Sequence, residues 1–200
     1  MKKVKIVIGV IVVVAVAFLY AHIGKLNLVY DKTVDNSEYI ATGVFEGTVE
    51  ESFVCVEDSL DGITAKCQLQ GDASGTALKM TLIDEKTETV AAEAELTAEE
   101  IKNSKFNEFS FDTIEGCKGR SYRAVFENIN GSVKDTKGIG LLYQPGKENH
   151  TQLKINGEDT EGTLIIKTVT DRFDLETFCV FLLFAVYITC FVKFLYKLFR

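Results

Sequence analysis

The chain has 200 residues, 46% of them hydrophobic, with a net charge of −7 and no tryptophan. An acidic chain of this make-up offers no basic surface to a phosphate backbone, which excludes nucleic acid as a partner. One proline and no low-complexity tract exclude a long flexible stalk, and two histidines leave little room for histidine-dependent catalysis.

The first five residues, "MKKVK", form a basic flank predicted to be cytoplasmic. Residues 6–23 follow without a charge. As a helix they would rise about 27 Å, close to the hydrocarbon thickness of a bilayer. Backbone groups in lipid must pair within the segment, so a helix is the expected state. The same flank, apolar core and "AVA" at Ala15–Ala17 also fit a cleavable signal peptide; the continuation through Phe18, Leu19 and Tyr20 favours a retained anchor.

Residues 24–174 carry 16 Lys and Arg against 28 Asp and Glu, a net charge of −12. Most of this segment alternates as strands do. "SFVCVED" sets Phe53 and Cys55 opposite Val54 and Val56, and "GITAKCQLQ" puts Ile63, Ala65, Cys67 and Leu69 on one face. "ALKMTLID" does the same with Leu78, Met80 and Leu82. "TVAAEAEL", "NEFSFDTI", "SYRAVFENI", "GIGLLYQ", "TQLKING" and "GTLIIKTV" supply further strands, with glycines between the runs where turns need them. One stretch departs from this pattern. "LTAEEIKNS" offers Thr97 as a helix N-cap and Glu100 three residues on, predicting one or two helical turns. Short strands at regular spacing with one small helix predict a mainly β, antiparallel two-sheet sandwich.

Residues 175–198 form the second predicted span, uncharged from Thr177 to Val192. Lys193, Lys197 and Arg200 make a basic stripe at its end, suited to headgroups at a membrane interface. Lysines before the first span and this stripe after the second place both termini in the cytoplasm and the acidic middle outside. The bilayer is therefore a partner. Phe181, Phe184, Tyr187, Phe191 and Phe194 share one broad face, with Ala185, Thr189 and Cys190 nearby. That face either simply meets lipid or packs on another helix, for which the Gly9, Ala17 and Ala21 side of the first span is one partner and a larger envelope protein another.

Five marks carry a resemblance: "LDGI" (Leu60–Ile63), the spacing of Gly75 to Asp84, Phe109-x-Phe111, "KGRSY" (Lys118–Tyr122) and "EGTL" (Glu161–Leu164). Over residues 45–170 the chain resembles the jelly-roll ectodomain of Gram-positive bacterial envelope membrane proteins, a module also seen in polytopic glycosyltransferase-like proteins of surface-polysaccharide assembly. The resemblance implies a jelly-roll β-sandwich flanked by two transmembrane helices. It also implies a cell-envelope setting in which the partner is surface glycan or a glycosyltransferase-like membrane protein. The large relatives carry a catalytic membrane domain for which this chain has no room.

Candidate chemistry is sparse. Cys55 and Cys67 lie on successive strands with inward faces and form the candidate disulfide; the other reading is that both thiols fill the core. Cys117 is then the odd one out. No cysteine–histidine spacing suggests a metal, and no nucleophile motif accompanies His22 or His150, so neither catalytic residues nor a cofactor are expected. The carboxylate pairs Asp58/Asp61 and Asp84/Glu85 read as solvated turns. Among Tyr39, Tyr122 and Tyr143, the aromatic candidates for a sugar platform, Tyr122 reads as core, and Tyr143 with Gln144 at a strand end is the preferred ligand-binding pair. The expected function is a non-catalytic, membrane-anchored external sandwich that binds or positions glycan. The alternative is a structural or regulatory subunit of a polysaccharide assembly or export complex with no glycan affinity of its own.

Overall fold

A computed structural model describes residues 2–199, and the chain divides into two compact units, one built from its two ends and one spanning Leu26–Thr170. Arg200 lies outside the described residues, as do the side chains of Lys2, Lys3 and Lys5.

The terminal unit holds two helices. α2 (Leu175–Leu198) has a mean hydropathy of 2.4 and no buried residue, and it is long and apolar enough to cross a membrane. Its 24 residues rise about 36 Å, more than a bilayer core requires. Asp174 starts it by accepting the N–H groups of Glu176 and Thr177, two of the donors a helix leaves orphaned. Lys193 and Lys197 are exposed near its end.

α1 (Lys2–Ala21) stops two residues before the predicted boundary, and its described apolar stretch, Val7–Ala21, is shorter than α2. The reason is local. His22 Nδ1 bonds to Phe18 O at 3.0 Å, taking up a carbonyl of the last turn, and strand β1 (His22–Leu28) begins there. The two helices pack through small side chains: Ala17 and Ala21 are fully buried, and the rings of Tyr20 and Phe181 meet at 5.4 Å. Gly9 and Val13 of α1 face Ala185 and Thr189 of α2 across an apolar groove of 540 Å³. Phe184, Tyr187, Phe191 and Phe194 remain exposed.

The chain between the helices forms two antiparallel sheets. The first contains β1, β2 (Ile40–Ala41), β4 (Ser59–Gln70), β7 (Lys105–Glu115), β9 (Gly138–Gln144), β12 (Thr163–Leu164) and β13 (Ile166–Phe173). The second runs in the order β11 (Glu158–Thr160), β10 (Gln152–Ile155), β3 (Thr48–Val54), β8 (Ser121–Ile129), β5 (Ala77–Asp84) and β6 (Thr89–Thr97). β4 is central: β7 lines one edge, while the other is shared by β13 at Gly62–Ala65 and β9 at Cys67–Gln70.

Alternation explains the layers. Val49, Phe53, Leu78, Met80 and Leu82 face inward from one sheet, and Ile63, Ala65, Cys67 and Phe109 from the other, forming one core. Phe109 and Phe126 cross between sheets edge to face at 5.6 Å.

The expected helix at Thr97 is a single turn. Thr97 donates its N–H and hydroxyl to the Glu100 carboxylate at 2.9 Å, and Ile101 N–H returns to Thr97 O at 3.2 Å. The capping contacts form, but burying Ala98 and Ile101 draws the chain on into β7 before a second turn can add.

Candidate functional site

The outer face of the first sheet presents an aromatic and cationic platform. On β4, Thr64 and Lys66 alternate with the buried Ile63, Ala65 and Cys67, so both point away from the core. Register places Phe106 of β7 opposite Lys66 and Lys167 of β13 opposite Thr64. The segment after β1 covers these residues: Tyr30 stacks on Phe106 at 6.2 Å and meets Tyr39 edge to face at 6.4 Å. A 3-10 turn (Asn36–Glu38), capped by Asp35, delivers Tyr39 to this position.

Both lysines use rings in place of acids. Lys167 Nζ lies 3.8 Å from the Phe106 centroid and Lys66 Nζ 4.8 Å from that of Tyr39. Neither forms an ion pair among the described residues, although the domain is rich in carboxylates. Burial first, then the charge of Lys66, pulls the Lys167 ammonium below the ordinary lysine pKa. Burial likewise raises the Tyr30 phenol, with Tyr39 adding to it. Glu108, which shares this face, is exposed and accepts the Ser110 hydroxyl at 2.8 Å. Two positive charges held together over flat rings, with no ion pair among the described residues, can accept an anionic group presented on an apolar frame.

Tyr143 and Gln144 diverge, as neighbours on a strand must. Tyr143 is half-buried against the core, its ring so close to Gly162 that a Cβ there would stand 2.7 Å away. Gln144 turns into a buried polar knot. Its Nε2 donates to Glu148 Oε1 at 3.2 Å, Glu148 N–H donates to Thr163 Oγ1 at 3.0 Å, and Thr151 Oγ1 lies 3.3 Å from Thr163 Oγ1. Glu51, fully buried on β3, belongs to the same knot: its Oε2 accepts the Leu164 N–H at 2.8 Å, while its Oε1 and Gln144 Oε1 have no hydrogen-bond partner among the described residues. Burial pushes the Glu51 carboxyl up to about 8, against the Leu164 N–H, the neighbouring Thr151 side chain and the Lys147 charge. The knot pins the loop carrying Asn149 and His150, which line a 240 Å³ cleft with Asn27 and Phe53. Gln144 thus supports a loop from below and is itself buried.

The cysteines are free thiols. Cys55 follows β3, whereas Cys67 lies eight residues into β4, about 26 Å along the strand from the corner where Cys55 sits. Cys67 Sγ contacts Ala65 O at 3.5 Å on its own strand, and burial pushes its pKa up to about 12. Tyr122 is fully buried, as its pattern implies. Asp84 is taken up by the Lys86 and Thr87 N–H groups and by Arg120. Among the described residues no group of three or more metal-ligating side chains occurs.

Comparisons with known proteins add little to this geometry. No family model matches the chain, and no curated protein matches it. Among solved structures, the chain is similar to a clostridial cysteine protease, Cwp84, after propeptide cleavage, at 12% identity and a TM-score of 0.45. The match covers 74% of this chain and 40% of that one.

The platform escaped the sequence reading except for Tyr39. Lys66 and Phe106 fall on the polar side of their alternation, where single residues carry no signal, and pairing them with Lys167 needs the register. Glu51 had a signal: in "VEESF" it shares parity with Val49 and Phe53, the mark of a carboxylate facing a core.

Proposed function

We propose that the chain is a non-catalytic, membrane-anchored binding module whose external β-sandwich, of jelly-roll type, holds acidic cell-surface glycan. Both helices would cross the bilayer with the termini in the cytoplasm. The platform of Tyr30, Tyr39 and Phe106 with Lys66 and Lys167 carries this reading. Flat rings accept the apolar faces of sugars, and two lysines that form no ion pair among the described residues favour sugars bearing carboxylate or phosphate. The envelope resemblance supports the glycan, and the exposed apolar α2 supports the anchor. Support for a non-catalytic role comes from the thiols: Cys67 and Cys117 are buried with raised pKa values, the opposite of an activated nucleophile.

Affinity electrophoresis of the full chain in non-ionic detergent, against uronate- or phosphate-bearing polysaccharide and a neutral one, tests the reading. Retardation by the acidic polymer, weakened tenfold or more by Tyr39→Ala and by Lys167→Ala, is expected. Equal mobility in all gels would refute it and leave the structural-subunit alternative.

A further inference from the structure

Cys55 and Cys117 are remote in sequence and adjacent in the fold. β3 pairs with β8 so that Val54 stands opposite Ser121, and the pairing continues one step beyond both strands. Cys55 N–H donates to Arg120 O at 2.9 Å, and Gly119 N–H donates to Cys55 O at 2.7 Å. Gly119, at φ +76°, turns the chain back at this point, a conformation costly for any residue with a Cβ. The reversal brings Cys117 to the segment after β3, where its N–H donates to Asp58 O at 3.1 Å.

The sulfurs share surroundings as well. Cys55 Sγ lies 3.4 Å from Glu57 O, and Cys117 Sγ lies 3.7 Å from the same oxygen and 3.3 Å from Asp58 O. The thiols also sense each other: after burial, the neighbouring Cys55 thiol raises the pKa of Cys117. Both residues are buried and belong to one core cluster.

We propose that Cys55 and Cys117 close a disulfide as the sandwich folds in an oxidising compartment, tying the end of β3 to the β7–β8 turn, while Cys67 stays a thiol. Its presence in cells rests on the external placement proposed above; the pairing itself does not. A small-molecule or protein disulfide serves as oxidant. One cysteine thiolate attacks it, displacing a thiol and forming a mixed disulfide; the second thiolate attacks the protein-side sulfur and displaces the other thiol. Two electrons and two protons pass to the oxidant. Burial of both sulfurs means that the exchange precedes final packing.

The test uses the full chain in non-ionic detergent, unfolded in urea and refolded in a glutathione redox buffer. N-ethylmaleimide then blocks free thiols under denaturing conditions, and peptides are mapped by mass spectrometry without reduction. A Cys55–Cys117 linked peptide with Cys67 alkylated is expected, and Cys67→Ser should leave the link intact. Reducing it should lower the sandwich's melting midpoint by about 10 °C, since the bond closes a long loop. A link through Cys67, or alkylation of all three cysteines, would overturn the proposal. A link that forms on refolding while quenched cells hold only free thiols supports the pairing and counts against the external placement.

Discussion

Glu51 ties the stability of the sandwich to pH in a direction opposite to that of most carboxylates. Its folded-state pKa of about 8 stands well above the ordinary value of 4.5. The folded form therefore binds the proton more tightly than the unfolded chain. Its contribution is complete below the unfolded value and is lost as pH rises through the folded one. A gap of that size corresponds to roughly 5 kcal/mol, or about 1.4 kcal/mol per pH unit across the window. Glu51→Gln keeps an acceptor for the Leu164 N–H and removes the titration. Urea unfolding of the full chain in detergent, followed by tyrosine fluorescence at pH 5, 6, 7 and 8, measures the effect. The stability of the natural chain relative to Glu51→Gln should fall steadily over that range. A constant difference between the two would show that the carboxyl is solvated, and the buried knot would have to be redrawn.

Asp84 has the opposite sign. Burial opposes its ionisation, but the Lys86 and Thr87 N–H groups and Arg120 outweigh that and lower its pKa. Its contribution is present above the ordinary carboxylate range and is lost as pH falls through the folded value, so Asp84→Asn should flatten the acid limb of a stability profile. Gly162→Ala places a methyl 2.7 Å from the Tyr143 ring and 2.8 Å from Gln144 O, and should cost about 1–3 kcal/mol in chemical denaturation. In the helices, Gly9→Cys has open space for its side chain and shares a groove with Cys190. Oxidation should therefore cross-link the two, and adding Ala17→Leu with Ala21→Leu should abolish the link by wedging the helices apart.

Alternation made most strands legible. Phe53, Cys55, Ile63, Ala65, Leu78, Met80 and Leu82 face inward as their parity implies, because a half-buried sheet imposes a period of two. Partners were not legible. β3 and β4 are successive in sequence yet lie in different sheets, so the parity that marks Cys55 and Cys67 as inward says nothing about which thiols meet. The helix at Thr97 stops at the shorter of the two expected lengths for a related reason: capping chemistry is local, whereas helix length is set by what the next residues must bury. His22 shows the converse, one side chain closing the helix that apolar composition alone would have extended. The platform depends on register across three strands, information that no single segment holds.

Register also constrains when this domain can finish folding. Gly62 of β4 lies opposite Val169 of β13, more than a hundred residues later in synthesis. Until that final strand emerges, the central strand has one half-open edge, with unpaired N–H and C=O groups in the middle of what will be the core. β13 runs to Phe173, directly before Asp174 caps α2. The sandwich therefore cannot close on its own N-terminal part while the rest is being made. Closure is a late event with high contact order, and the incomplete chain is the species most exposed to wrong strand pairing.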